Sequence, residues 1–486
     1  MKGINIKGIQ NIRESFKTRQ VKYGGYAALI TIAVIVGLIL LNLLAGQFTT
    51  LQVDLTYSKI FSLSEQTIQV LEKVNSPVTI YGLWRPGEEN QDVTPIINLY
   101  LAKNRNIKLD VVDPDKNPGF VVRYDKERKG IARGSLIVEG DKGFKVISPY
   151  DMYDITQNRQ GSGSSVTGVA VERRITSALL FAGTGNTPVI YEITGHGEIP
   201  LSGLNLVDTV ERENFTLSQV NLLLSAVPPD AGGLILNNPR RDLTSGEAER
   251  MLDYLGKGGR LIILADYSIQ ELANLNTVLA SYGVKLNFGI VHEADANYFT
   301  LDARLAIPDM LEHDITKPLM DKSRTPVVMP MAMSVTNLDT KKRSTEIVPL
   351  MTTSPRAYLR TNLEETATIR VPSDVPGPLT LGVAVKDPSW IQGSEPQTRI
   401  IILGSGSLLP FYAQYGMEAN RDLFMNSFAW LQDRPETISV RSKSLFILPL
   451  RLNMAQIIIF GGLFILIIPM AFFVTGFITW LKRRHL

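Results

Sequence analysis

Two long stretches of the chain, residues 23–53 and 452–481, contain no Asp, Glu, Lys or Arg. Each exceeds the roughly 20 apolar residues that span a bilayer. The pattern predicts one membrane helix over 23–46, built on AALITIAVIVGLILLNLLAG, and another over 452–481, with Pro469 inside it and Trp480 at its end. The apolar core of the first is longer than the roughly 7–15 residues of a signal peptide and no small-x-small cleavage pattern follows, so it reads as an uncleaved anchor.

Between the anchors the hydrophobic period alternates between that of strands and that of helices. After Asp54 the pattern predicts a helix opened by Ser62 with Glu65 in capping-box spacing, then the strand VTIYGLW (Val78–Trp84), a helix near Thr94–Asn104, the strand IKLDVVD (Ile107–Asp113), and the hairpin SLIVEG and FKVIS around Asp141-Lys142-Gly143. That β-α-β, β-β order predicts a thioredoxin-like α/β domain over 47–160. The loop after its first strand is RPGEENQDV, which lacks the dithiol of the redox proteins. A linker and helix over 161–187 begin with GSGSS, read as a flexible tether. A second α/β domain spans 188–440: TPVIYEIT, a helix around Leu204–Glu213, GGLILNN, the helix LTSGEAERMLDYLGKGG, and RLIILAD. Apolar strands alternating with helices predict a parallel sheet covered on both faces, flavodoxin-like. From about 300 to 397 the chain reads as an irregular insertion, after which come a last strand and a helix near Asn420–Leu431.

Charge orients this plan. Residues 1–22 carry five net positive charges and the 482–486 tail carries Lys482, Arg483 and Arg484. Basic flanks are retained in the cytoplasm, so both termini are expected there and the central region outside, in a cytoplasmic (inner) membrane protein whose first partner is the lipid bilayer. The net charge of +3 leaves the rest acidic, which does not suit a nucleic-acid surface. The chain has no cysteine, which excludes thiol catalysis and thiolate metal sites. No GxxxxGK[ST] phosphate loop and no HExxH pair occurs, and no cofactor is expected.

The stretch YEITGHGEIPLSG (Tyr191–Gly203) holds one of four histidines, with Glu198 two residues on and glycines around it. On a parallel sheet, ligands sit at the carboxyl ends of strands, where Gly195, His196, Gly197, Glu198, Asn237 and Asp266 are expected to gather. Three readings follow. The leading one is a structural turn, in which Gly195 and Gly197 matter more than His196 because glycine permits positive φ. The others are a non-catalytic binding pocket for a peptide, sugar or partner loop, and a hydrolytic or metal site using His196, Glu198 and Asp266.

YEITGHGE, its spacing to NNPRRDLTSGEAERMLDYLGKGGRLIILAD, and NRDLFMNSFAWLQDRPETISVR before a membrane helix ending WLKRR together resemble the auxiliary membrane components of ABC transport systems associated with gliding motility. DLTYSKIFSLSEQTIQVL, just after the first anchor, is similar to that family's opening segment. The resemblance implies a non-enzymatic accessory subunit, partnered by an ABC permease and a cytoplasmic ATP-binding-cassette ATPase. The TGHGE-bearing domain also resembles a module of an intraflagellar-transport component, where an amidotransferase-like fold serves binding without catalysis. Two alternatives stand beside this reading: a membrane-anchored hydrolase, and a free-standing envelope scaffold that binds glycans or proteins.

Overall fold

The computed structural model describes residues 19–47, 54, 59, 62–126, 128–157, 164–204, 206–267, 271–320, 325–367, 369–388, 397–433, 443–444 and 454–484. The chain divides into two compact units, 1–59 and 60–486. The basic stretch ahead of Arg19, most of the GSGSS tether and the segment 434–442 lie outside the described residues.

Among its described residues the first unit contributes one helix, α1 (Arg19–Gln47), which includes the apolar run Ala28–Leu41.

The second unit begins with α2 (Glu65–Lys73), β1 (Val78–Gly82), α3 (Thr94–Lys103), β2 (Ile107–Val111), α4 (Pro118–Tyr124), β3 (Leu136–Gly140) and β4 (Gly143–Ile147). These strands form a four-stranded sheet in the order β2-β1-β3-β4, with β1 parallel to β2 and antiparallel to β3. A hairpin of β5 (Tyr153–Gln157) and β6 (Ser164–Val169) leads into α5 (Val171–Thr184), whose Ile175, Ala178 and Leu179 share a buried core with Ile80, Leu136 and Val138. Part of the GSGSS tether is therefore strand. The start of α2 differs from expectation as well: its N-cap is Ser64, not Ser62. The cause is tertiary, because the buried Glu172 of α5 accepts hydrogen bonds from the Ser64 N–H and hydroxyl, both at 2.7 Å.

Next come β7 (Val189–Ile193), α6 (Val207–Arg212), β8 (Thr216–Val220), β9 (Ala231–Asn237), α7 (Ser245–Gly256), β10 (Arg260–Leu264) and α8 (Ala273–Ala280). A run of short strands follows: β11 (Val284–Asn287), β12 (Ile290–His292), β13 (Phe299–Thr300), β14 (Asp302–Ala306), β15 (Asp309–Met310), β16 (Met329–Pro330) and β17 (Ser334–Asn337). The unit closes with β18 (Glu346–Thr352), β19 (Tyr358–Arg360), β20 (Val375–Pro376), β21 (Thr380–Pro388), β22 (Gln397–Leu403), α9 (Leu408–Tyr415), α10 (Glu418–Leu431) and β23 (Lys443–Ser444).

One eight-stranded sheet organises this half, in the order β15-β18-β21-β22-β10-β9-β7-β8. Its β22-β10-β9-β7-β8 portion is parallel, and α7 and α8 cover one face while α6, α9 and α10 cover the other. The stretch expected to be an irregular insertion contributes β18 and β21, which extend the sheet antiparallel from β22. Pro349 inside β18 argues against a strand, and the register shifts there by a bulge that accommodates it.

At the end of the chain, α11 (Met454–Gly461) passes through a π-helical turn (Gly462–Ile467) into α12 (Ile468–Arg484). Pro469 lacks the N–H that would close the preceding turn, and the helix widens there. Among the described residues, Ile458–Lys482 is the one helix long and apolar enough to cross a membrane. This α/β protein is membrane-associated through that helix.

Candidate functional site

Strand β7 ends in the TGHGE turn. Gly195 and Gly197 have φ of 122° and 82°, a region that favours glycine, and a Cβ at Gly197 would meet the Arg240 Cβ at 3.1 Å. The turn folds over the end of β9. His196 O accepts hydrogen bonds from the Arg240 and Arg241 N–H groups at 2.8 and 3.1 Å, and the Asn237 side chain donates to Ile199 O at 2.6 Å. Glu192, inside β7, accepts from the Leu201 N–H and holds the far side of the loop.

The buried His196 side chain is clamped on both nitrogens. Nδ1 lies 2.7 Å from Glu198 Oε1, and Nε2 lies 3.2 Å from Glu247 Oε2. The Glu198 hydrogen bond, reinforced by Glu247, holds the imidazole pKa above its ordinary value against the opposing effect of burial. Burial pushes both carboxyls up, but the hydrogen bonds they accept outweigh it and both lie below the usual carboxylate range. The arrangement is an imidazole ring held between two carboxyl groups. Glu247 escaped the sequence reading because it lies 51 residues from His196. Its own signal was local: Thr244 and Glu247 form a capping box at the start of α7, whose Glu carboxylate also serves the histidine.

Asp266 belongs to a different cluster. Its Oδ2 accepts from the Ser407 hydroxyl at 2.6 Å and its Oδ1 from the Tyr267 N–H, while burial raises its pKa. Between the two clusters, at the end of β9, Asn238 has φ of 58°. A strained turn after a central parallel strand is where a hydrolase presents its nucleophile. Here the position holds an amide, buried beneath Gly406, where an added Cβ would lie 2.7 Å from the Asn238 Cγ.

Strand connection reverses direction between β7 and β9, since β8 lies on one side of β7 and β9 on the other. Ligands of open parallel sheets bind in that crevice. In this protein the TGHGE turn crosses it, bonded to β9 and to the loop after it.

Residues 187–427 match the family described as an ABC-type uncharacterized transport system. The chain carries a domain of this transport family. It is a non-catalytic accessory component of an ABC transport system. The family domain coincides with the eight-stranded sheet and its helices, while residues 57–153 match a separate domain of unknown function, DUF7088. No curated protein matches the chain. Among solved structures, the mmIFT52 N-terminal domain is similar at 16% identity and a TM-score of 0.37, over 50% of this chain and 96% of its own. The exo-beta-1,4-mannosidase Op5Man5 from Opitutaceae bacterium strain TAV5 is similar at 10% identity and a TM-score of 0.27, over 70% of this chain and 48% of its own. Likenesses this distant carry nothing about what the transport component does.

Proposed function

We propose that the protein is the extracytoplasmic element of its transport complex, held by two membrane helices with both termini in the cytoplasm, and that it binds and couples at the outer face of an ABC permease driven by a cytoplasmic ATPase. The carrying observation is the His196 ring, both of whose nitrogens are engaged by carboxylates, which suits a turn built to hold a shape for a partner. In this reading Gly195, His196, Gly197, Glu198 and Asn237 hold the turn in shape, Asp266 supports the neighbouring loop through Ser407, and no cofactor is needed. Power must come from another subunit, because the sequence has no phosphate loop.

The outer region divides, in this reading, into a thioredoxin-like domain over 47–160 and a flavodoxin-like or amidotransferase-like domain over 188–440. The first is supported by the β2-β1-β3-β4 order with one parallel and two antiparallel pairings. The second is supported by the order β8-β7-β9-β10-β22, the 2-1-3-4-5 arrangement of doubly wound sheets. The experiment is affinity purification of the full chain from membranes in mild detergent. A permease and an ATPase should be recovered with it, and loss of both from a well-folded wild-type preparation would remove the coupling role.

A further inference from the structure

Strand β22 runs into the turn Gly404-Ser405-Gly406-Ser407, which opens α9. Three bonds fix the turn: the Gly404 N–H donates to Leu381 O at 2.8 Å, Gly404 O accepts from the Met333 N–H at 2.6 Å, and the Ser405 hydroxyl donates to Pro330 O at 2.6 Å. None of them uses the amides that follow. Among the described residues the N–H groups of Ser405, Gly406, Ser407 and Leu409 have no hydrogen-bond partner, although all of these but Ser407 are buried residues. Buried amides are nearly always paired, so four such donors together are exceptional. The helix is uncapped as well: Ser407 stands at the N-cap of α9 but makes no cap bond, because its hydroxyl goes to Asp266 at 2.6 Å. The free N–H groups and the helix dipole give this end of α9 a partial positive charge.

Asn238 supplies an independent sign of a ligand. It is 1% exposed, and neither its Oδ1 nor its Nδ2 has a hydrogen-bond partner among the described residues. The backbone fixes it, with φ of 58° and the N–H donating to Leu264 O at 2.8 Å. The side-chain amide lies against the turn: a Cβ on Gly406 would come 2.7 Å from Asn238 Cγ and 3.0 Å from its Oδ1. Only glycine at 406 leaves the amide its place. Exposed Arg240 is within electrostatic reach of Asp266 and lowers its pKa against the larger effect of burial, so the two side-chain charges offset each other. Uncharged donors therefore decide what binds, and they favour a single negative charge, since a dianion would face Asp266 without a second cation.

The geometry points to an oxyanion site at this turn, where the backbone N–H groups ahead of α9 and the Asn238 Nδ2 donate to the monoanionic phosphate or carboxylate group of a small ligand. Asn238 Oδ1 then accepts from a hydroxyl of the same ligand. A glycine turn at a helix N-terminus takes anions because no side chain screens its amides. The site sits at the carboxyl ends of the adjacent parallel strands β9, β10 and β22, the edge at which open parallel sheets bind ligands. It is separate from the His196 clamp and does not rest on the coupling role, which the co-purification experiment tests by itself.

The test is calorimetric titration of the full chain, in nanodiscs of uncharged lipid, with inorganic phosphate and separately with acetate, at pH 6 and constant ionic strength, against empty nanodiscs. Saturable binding is expected, and the tighter of the two anions names the group that the ligand carries. Asn238→Asp keeps the side-chain shape and the tolerance of positive φ but sets a carboxylate against the turn, and should weaken binding by about tenfold or more. Asp266→Asn removes the opposing carboxyl and should tighten it by about fivefold, a gain that a purely structural role would not produce. If Asn238→Asp does not fold, the exposed change Arg240→Gln decides, with an expected loss of about threefold. No saturable binding of either anion would overturn the proposal, as would affinities that none of these changes moves.

Discussion

His196 looks reactive in the sequence, and in the fold both of its ring nitrogens are engaged by carboxyl groups. The imidazole pKa is raised, so its stabilisation is complete below the ordinary value of about 6.5 and is lost as pH rises through the folded-state value. The pKa values of Glu198 and Glu247 are lowered, so theirs is present above about 4.3 and lost as pH falls through the folded-state values. The clamp is therefore strongest between roughly pH 4.5 and 6.5. His196→Gln should lower stability by about 3 kcal/mol at pH 6, the order expected when a buried carboxylate loses its partner, and by less at pH 9. Thermal unfolding across pH checks this, and a gap that widens towards pH 9 would contradict it. Gly195→Ala and Gly197→Ala should each cost about 1 kcal/mol or more at all pH values, because the penalty is steric. The His196–Glu198 pair was legible because two residues of one turn cannot be far apart. Glu247 and Ser407, the partners of His196 and Asp266, were not, since each lies on an element that only folding brings near.

At the scale of the element, caps and edges have separable costs. Thr244→Ala removes the capping-box hydroxyl of α7 and also loosens the carboxylate that meets His196, so it should cost about 1–2 kcal/mol, more than an exposed cap alone. A double-mutant cycle with His196→Gln should show coupling, and strict additivity would mean the two contacts are independent. In the terminal helix, Gly461 and Gly462 have open space where a Cβ would project. Replacing both with leucine should leave insertion intact while reducing recovery of the permease and ATPase, as small residues allow close helix approach in lipid. Full recovery of the complex after that change would move assembly to the outer domains.

For the whole molecule, the two α/β layers of the second unit are joined by charge as well as by chain. Arg174 meets Glu213 at 3.1 Å and Arg212 meets Asp151 at 2.8 Å, linking α5 and the β5 approach to α6. Strand β23 pairs with β6, so the chain returns to the first layer shortly before its membrane helix. The proposed topology is open to direct measurement because the chain has no native cysteine. With Thr18→Cys and Gln157→Cys introduced singly, an impermeant thiol reagent on intact cells should label position 157 and spare position 18. The reverse pattern would invert the protein.

Local composition alone determined the membrane helix, the α/β alternation and the glycine turn, because a bilayer excludes charge, a buried face requires its own period, and positive φ requires glycine. Tertiary structure decided the rest. It placed β8 and β9 on opposite sides of β7, drew β18 and β21 into the sheet, moved the α2 cap to Ser64, and gave His196 its second carboxylate. Each of these depends on backbone or side-chain groups far apart in the chain, whose pairing is settled by which surfaces can be buried together and not by any window of sequence.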